Sequence, residues 1–306
     1  MAQQEEDLAF NRDLDAPADT VQQISPLVRR VISNNPGPMT FTGTCTYIIG
    51  RGQVSIVDPG PAYPEHVEAI LKALEGETIT NILVTHTHRD HSPAAAMVKE
   101  ATGARIVGCA QHSSARDLAL GEVPALDAAN DMDYAPELEM RDGDVLTGPG
   151  YTIEAVTTPG HTTNHLVFAL REENSLFSGD HVMAWSTSIV APPDGSMSDY
   201  MASIDKLRSR EEKLFWPGHG PAVLEPQRYL RALAHHRRQR EHSILNRIFS
   251  GDATIPEIVA KVYEGLDPRL TKAAGLSVLA HLEDLVARGV LRADGPPTLT
   301  ARYTRA

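Results

Sequence analysis

The chain has 306 residues, of which 42% are hydrophobic and 22% charged, a composition typical of a globular protein. This length allows a catalytic domain and a small second domain, and no apolar run approaches the ~20 residues that cross a bilayer. Residues 1–220 contain 15 Lys and Arg against 31 Asp and Glu, whereas residues 221–306 contain 13 against 9. So acidic a first part repels nucleic acid at long range, which weighs against an RNA substrate.

Residues 1–20 form an acidic extension without the basic-then-apolar pattern of a signal peptide. Cys45 and Cys109 are the two cysteines of the chain. So few thiols in a large chain indicate a reducing compartment, with a disulfide between them as the alternative. We therefore expect a cytoplasmic protein that is not attached to a membrane.

Short apolar runs alternate with helical periodicity through the first 220 residues. Val67, Ile70 and Leu71 share one face of a helix predicted over residues 64–74. Ser92 and Pro93 are predicted as the N-cap and first residue of a helix that runs through Met97. Strands are predicted at residues 44–50, 53–58, 79–84, 104–109, 153–156, 175–177 and 214–216, and another helix at residues 198–209.

The segment after the apolar run 82–84 carries the strongest chemical signal. Three histidines and one aspartate fall within six positions: His86, His88, Asp90 and His91. Imidazole nitrogen and carboxylate oxygen are donors that zinc prefers. On a tight loop all four side chains can converge, and four ligands exceed the three that a catalytic zinc usually takes from the protein. The segment therefore predicts two metals, with a polar loop that is merely rich in histidine as the alternative.

Three later segments share one form, in which a short apolar strand leads to a glycine and then to a metal-binding residue type. These are the pairs Gly160-His161, Gly179-Asp180 and Gly218-His219. Glycine allows the chain to turn sharply and to present the next side chain. One such turn is weak evidence of a site, but three after the histidine-rich loop indicate a shared one.

The order of these residues resembles the metallo-β-lactamase superfamily over about residues 34–220. The resemblance implies an α/β fold, the four-layer αββα sandwich, with metals at one edge of its two sheets. It also implies a ligand set, with His86, His88 and His161 on one metal, Asp90, His91 and His219 on the other, and Asp180 bridging both.

Other members of the fold differ at two of these positions. True zinc β-lactamases place cysteine or another residue where this chain has Asp180, and di-iron oxygen reductases use glutamate where it has His88. The complete second ligand set also argues against the single-iron persulfide dioxygenases. Asp58, after a predicted strand, resembles an aspartate expected to fix the histidine-rich loop by hydrogen bonds, with an ordinary turn aspartate as the alternative.

The implied chemistry is that of a hydrolase with two zinc ions, or with iron or manganese in their place. A metal-bridging hydroxide would attack an ester-like centre, and Asp90 and Asp180 are the predicted catalytic residues. Four further side chains are predicted to bind substrate, with loop packing or core anchoring as the alternatives: His165, His181, Trp185 and Tyr200.

Residues 223–306 are predicted as a second domain. A long helix from about residue 227 carries a basic run at residues 237–240, and helices at 256–263 and 269–288 follow. Apolar segments at 290–291 and 298–300 flank a Pro-Gly-rich turn, which predicts the hairpin of a winged helix. Its candidate recognition helix offers few basic groups, so a cap over the active site or a homodimer contact is favoured over nucleic-acid binding.

The whole chain resembles the β-lactamase-like-protein-2 group, which includes an endoribonuclease, and the glyoxalase II-like hydrolases. Residues 36–40 and the pairs Gly43-Thr44 and Thr46-Tyr47 match that group, whereas Cys45 stands where its members usually carry asparagine. We therefore predict a hydrolase of a thioester or similar small ester. The alternatives are a single-strand-specific endoribonuclease with the same metals and a winged-helix DNA-binding regulator with a metal-containing sensor core.

Overall fold

Two β-sheets pack face to face in the computed structural model, which describes residues 8–119 and 129–306. Helices cover the outer face of each sheet, so the predicted four-layer αββα sandwich is confirmed. The first seven residues of the acidic extension lie outside the described residues. The remainder of the extension packs on the body, where the Asn11 N–H donates to the Ala184 carbonyl at 2.9 Å.

The first sheet has seven strands in sequential order, antiparallel over its first four strands and parallel from the fourth onward. Two crossover helices, α1 (Pro64–Ala73) and α2 (Ala94–Thr102), connect the parallel pairs β4–β5 and β5–β6. The strands are β1 (Gln22–Gln23), β2 (Val28–Ile32), β3 (Cys45–Arg51), β4 (Gln53–Val57), β5 (Thr78–Val84), β6 (Arg105–Gly108) and β7 (Leu138–Glu139).

The second sheet has five strands in the order β12-β11-β10-β9-β8. Its one parallel pair, β11 with β12, is joined through helix α3 (Met197–Arg208). The strands are β8 (Val145–Gly148), β9 (Tyr151–Thr157), β10 (Leu166–Leu170), β11 (Ser175–Gly179) and β12 (Leu214–Pro217).

Side chains that alternate along each strand build the two cores of the sandwich. On β10, Leu166, Phe168 and Leu170 pack between the sheets, whereas Val167 and Ala169 face the helical layer. This is the two-residue period of a strand buried on both faces. The rigid double sheet therefore holds its strand ends in fixed positions.

The C-terminal part begins with α4 (Pro226–Phe249), which belongs to two cores. Leu230 and Leu233 pack beneath the second sheet, whereas Ile244 and Ile248 join a separate C-terminal core. That core also contains α5 (Ile255–Val262), α6 (Thr271–Ala287) and the hairpin β13 (Leu291–Ala293) and β14 (Tyr303–Arg305). Because α4 is shared, the limit between domains 1–222 and 223–306 stays a prediction.

Two local predictions were wrong. The second strand of the wing is Tyr303–Arg305 and not residues 298–300, because Tyr303 is buried and its hydroxyl donates to the Thr298 carbonyl across a longer loop. Ser92 does not cap α2, since its hydroxyl donates to Asp131 Oδ2 at 2.7 Å and the helix begins after Pro93.

Cys45 and Cys109 are both buried and free, so the structure contains no bond between them. Among the helices of residues 8–119 and 129–306, none is both long and apolar enough to cross a lipid bilayer.

Candidate metal centre

The candidate ligands follow strands that end at one edge of the sandwich. Asp58 follows β4, the histidine-rich loop follows β5, and β4 and β5 are parallel neighbours. In the second sheet His161, Asp180 and His219 lie beyond β9, β11 and β12. These three strands run in one direction, because β9 and β11 are each antiparallel to β10 and β12 is parallel to β11. The fold therefore gathers residues far apart in sequence at a single edge.

The first group of donors is a triad of imidazole nitrogens. His88 Nδ1 lies 3.1 Å from His86 Nε2 and 3.0 Å from His161 Nε2. The rings of His88 and His161 are perpendicular to each other, and His161 Nε2 faces His88 Nδ1. A single proton can be shared by only one pair of these nitrogens, whereas a metal cation can accept the lone pairs of all three. The three nitrogens are therefore placed as a metal ion requires.

The second group combines one carboxylate with two histidines. His219 Nε2 lies 3.2 Å from both His91 Nε2 and Asp90 Oδ2, and His91 Nε2 lies 3.7 Å from Asp90 Oδ2. His91 and His219 are completely buried, and Asp90 faces the cavity above them. These three residues could hold a second cation.

Asp180 lies between the two groups. Its Oδ1 is 3.5 Å from His91 Nε2 and 3.4 Å from His219 Nε2, and its Oδ2 is 3.8 Å from His161 Nε2. Although Oδ1 is buried, it has no hydrogen-bond partner within the described residues. A buried carboxylate oxygen without a partner is costly, and a cation at this position would satisfy it.

Hydrogen bonds on the outer ring nitrogens orient three of the histidines. Nδ1 of His161 donates to the Ile189 carbonyl at 2.6 Å, and Nδ1 of His219 donates to the Gly43 carbonyl at 3.2 Å. His91 Nδ1 donates to Asp58 Oδ2 at 2.9 Å. Each bond fixes the ring so that Nε2 points into the site, where a metal could take its lone pair once any proton on that nitrogen has left.

Asp58 supports the histidine-rich loop from below. Its Oδ1 accepts the Thr85 N–H at 2.8 Å, and its Oδ2 accepts the Thr85 hydroxyl at 2.7 Å as well as His91 Nδ1. Asp58 also clusters with His86 and His91 at ligand-like distances, but both of its oxygens are already engaged. The contacts therefore favour the predicted supporting role over direct coordination.

The two groups differ in their protonation. Burial lowers the pKa of His88 to about 3, assisted by His161, and burial likewise lowers the pKa values of His86 and His161. Burial also acts against a proton on His219, but Asp180 and Asp90 outweigh it and raise its pKa to about 10. Asp90, Asp180 and Asp58 likewise hold the pKa of His91 well above its usual value. Without a cation, the first group is neutral and the second is an ion cluster.

This difference predicts which metal-binding step releases protons. At pH 7 a cation entering the first group displaces no proton, whereas one entering the second group must displace those on His91 and His219. We expect the second zinc equivalent to release between about one and two protons, so its affinity rises up to about tenfold per proton per pH unit. Calorimetric titrations in buffers of different ionisation enthalpy measure this release. Equal proton release in both steps, or an unchanged second step in His219→Ala, would contradict the assignment.

The four predicted substrate-binding residues occupy different positions. Trp185 lines the cavity and stacks on Phe41, with ring centroids 5.1 Å apart. His165 is buried, donates from Nδ1 to the Thr158 hydroxyl and accepts the Asp180 N–H at Nε2. It therefore holds the backbone of a candidate ligand and does not line the cavity.

His181 and Tyr200 are also buried below the cavity wall. The rings of these residues lie 4.6 Å apart, and the Tyr200 hydroxyl donates to the His181 carbonyl at 2.9 Å. Tyr200 packs in the core beneath the second sheet. The contacts favour the alternatives to substrate binding, which were loop packing for His181 and core anchoring for Tyr200.

The metal-binding groups form the floor of a cavity of about 390 Å³, a volume suited to a small organic ligand. Its walls are mainly apolar, and one of them includes Phe10 of the N-terminal segment, for which the sequence predicts no role at the site. Residues of the C-terminal part line one side of the cavity, and a capping role for this part stays a prediction. The principal apolar wall residues are Phe10, Met39, Trp185, Tyr263, Leu266 and Leu270.

Comparisons with known proteins agree with this geometry. The family described as "Metallo-beta-lactamase superfamily" matches residues 39–219, and the "Beta-lactamase associated winged helix domain" matches residues 254–296. A "Beta-lactamase-like protein 2 homolog" of Drosophila melanogaster is 31% identical over 281 residues, covering 89% of this chain and 92% of its own length. An "Atrochrysone carboxyl ACP thioesterase" of Aspergillus terreus is 29% identical over 291 residues, with 87% and 83% coverage.

Solved structures show the same fold. A beta-lactamase domain protein from Burkholderia ambifaria superposes with a TM-score of 0.77 at 22% identity, covering 96% of both chains. A metallo-beta-lactamase family protein from Thermus thermophilus superposes with a TM-score of 0.75 at 22% identity, covering 93% of this chain and all of its own.

Proposed function

The chain belongs to the metallo-β-lactamase superfamily and is a hydrolase of that fold, and on this basis we propose that it hydrolyses thioesters or similar small esters with two bound zinc ions. The observation that carries the proposal is the buried Asp180 Oδ1, which has no hydrogen-bond partner within the described residues and lies 3.4 to 3.5 Å from the two histidines of the second group at the floor of an apolar cavity. Nitrogen and carboxylate donors in this proportion favour zinc, with iron or manganese as alternatives.

The residues divide into three roles in this proposal. His86, His88 and His161 would hold one cation, Asp90, His91 and His219 the other, and Asp180 would contact both. Two such cations supply Lewis acidity and lower the pKa of water to about 7. Asp58 and His165 would keep the ligands in place through their hydrogen bonds.

Asp90 is the ligand best placed for proton transfer, because its side chain is 28% exposed and lines the cavity. We assign it to orient the attacking water and to accept its proton. The water oxygen then bonds to the acyl carbon, the carbon–sulfur bond breaks and the proton passes to the departing thiolate. The products are a carboxylic acid and a thiol, so the reaction is balanced without another reactant.

A thioester is preferred as substrate for two reasons. The cavity is small and mainly apolar, which suits an acyl group better than a polynucleotide. In addition, relatives that align with most of the chain carry the name thioesterase. The net charge of −12 also opposes binding of RNA.

A substrate panel with a histidine variant tests the proposal. We expect thiol release from small acyl thioesters, and a loss of about 10³-fold or more in kcat for His88→Ala, because the first triad loses its shared nitrogen. His242→Ala, at an exposed histidine of α4, is the matched control and should retain full turnover. Cleavage of single-stranded RNA but of no thioester, lost in His88→Ala, would replace the proposal with the endoribonuclease alternative.

A further inference from the structure

A buried arginine lines the cavity above the metal-binding groups. Arg237 of α4 is 3% exposed, its terminal nitrogen donates to the Ser188 carbonyl, and its guanidinium carbon lies 4.9 Å from the centre of the Tyr200 ring. Its Nε donor is buried and has no hydrogen-bond partner among residues 8–119 and 129–306. A buried cationic donor without a partner is expensive to maintain, which suggests that a ligand completes it.

The residues that the structure describes form no salt bridge with this arginine. Within the described part of the chain, no carboxylate oxygen lies within 4 Å of Arg237, although Asp194 lines the same cavity. The Asp194 oxygens are already used, since Oδ1 accepts from Ser114 at 3.1 Å and Oδ2 from Asn130 at 2.7 Å. Asp90 and Asp180 belong to the proposed metal centre. Among residues 8–119 and 129–306, the charge of Arg237 therefore has no ion-pair partner.

Neighbouring groups show how positive this corner of the cavity is. Arg240 also lines it, donating to the Val262 carbonyl at 2.7 Å and lying 4.2 Å from the Tyr263 ring centre. Burial together with Arg237 lowers the pKa of His236 to about 4 and that of His281 to about 3. The buried ring nitrogens of His281 and Nδ1 of His236 have no partners within the described residues. Arg237 and these ring nitrogens are therefore buried polar groups whose hydrogen-bonding capacity the described residues leave unfilled.

We propose that Arg237 recognises a carboxylate on the acyl part of the substrate, so that the preferred substrates are thioesters whose acyl group is an apolar body ending in an acid. This inference rests on the proposed thioester hydrolysis and names its substrate class. A charge-assisted, fork-shaped contact is the mode in which arginine binds carboxylates. Arg237 and the metal-binding groups line one cavity whose walls are mainly apolar, and such walls suit the body of such an acyl group.

The burial of Arg237 decides which end of the substrate it contacts. The thiol part of a thioester must reach the cavity mouth when it is large, so an acidic group on that part would meet exposed residues. A side chain that is only 3% exposed is reached by the part of the substrate that enters the cavity completely. The acyl part is therefore the source of the carboxylate.

Two thioesters of the same small thiol test this directly, one with a benzoyl and one with a 4-carboxybenzoyl group. In the zinc-loaded full chain we expect kcat/KM for the acidic thioester to exceed that for the neutral one by about 10- to 100-fold, mainly through a lower KM. Arg237→Met should bring this ratio close to one, and Arg237→Lys should leave an intermediate value. Arg238→Met is the matched control, because Arg238 is the exposed neighbour on the same helix, and it should keep the wild-type ratio.

A binding measurement separates this inference from the proposed function. Terephthalate, a dicarboxylate without a thioester, should change the fluorescence of Trp185 in the wild type and bind at least about tenfold more weakly to Arg237→Met. If neither thioester is hydrolysed but this binding is observed, the proposed function fails and the acid-binding site stands. The inference is overturned if both thioesters are hydrolysed with the same kcat/KM and terephthalate binds equally well to the wild type and to Arg237→Lys. This outcome does not depend on whether Arg237→Met folds.

Discussion

Asp180→Ala is expected to lower kcat by about 10³-fold or more and to reduce the zinc content below two equivalents. Asp180 Oδ1 lies 3.4 Å from a nitrogen of the second group and Asp180 Oδ2 lies 3.8 Å from a nitrogen of the first. Its removal would leave the two proposed cations with less negative charge near them and without the carboxylate that we propose they share. Activity assays combined with metal analysis of the purified variant measure both effects.

The matched control is Asp205→Ala, which removes a carboxylate that is 53% exposed on α3 and takes no part in the groups of donors. It should keep the turnover and metal content of the wild type. Far-UV circular dichroism should be similar for both variants, because Asp180 follows β11 and contributes to no helix. If the Asp180→Ala variant kept more than a tenth of the wild-type kcat and bound two zinc equivalents, Asp180 would not be a ligand of the proposed metal centre.

Gly218→Ala is expected to lower kcat/KM by about 10²-fold and to weaken the binding of zinc by the second group of donors. A Cβ atom at this position would lie 2.6 Å from His91 Cε1 and 2.7 Å from Asp180 Oδ1. The backbone cannot easily withdraw, because the Gly218 N–H donates to the Gly179 carbonyl and its own carbonyl accepts from Cys45, each at 2.8 Å. The two side chains must move instead, and misplacement by about 1 Å is enough for a loss of this size.

Gly295→Ala provides the control for Gly218→Ala. It adds the same methyl group in the exposed wing loop, where the new Cβ has no neighbour within 4 Å. Kinetic constants and zinc stoichiometry should be unchanged there. A fully active Gly218→Ala variant with two zinc equivalents would show that His91 and Asp180 need not hold these positions.

Most of the candidate site could be predicted from sequence because its signals are local. His86, His88 and His91 lie within six positions, and the later residues each follow an apolar strand and a glycine. A two-sheet fold then brings the strand ends to one edge, as the parallel pairs β4–β5 and β11–β12 do. The residue pattern and the fold class together were sufficient to predict that these side chains lie close to one another.

The walls of the cavity could not be predicted in the same way. Arg237 occurs in a basic run on a long helix, which usually indicates a solvated face, and its burial results from packing of α4 beneath the second sheet. Phe10 reaches the cavity from the N-terminal segment, which carries no periodic signal. Tyr200 illustrates the opposite case, since one face of α3 is core and the sequence did not distinguish it from a cavity wall. Such contacts depend on distant parts of the chain.

Titration of the metal-free protein with zinc tests the two-metal proposal most directly, because stoichiometry and location are measured together. The wild type should bind two equivalents, and His88→Ala and His219→Ala should each lose one of the two binding steps, since these residues belong to different groups. Hydrolysis should return only after zinc is added. Binding of no zinc by a folded wild type that hydrolyses its substrate at full rate would contradict the proposed metal centre.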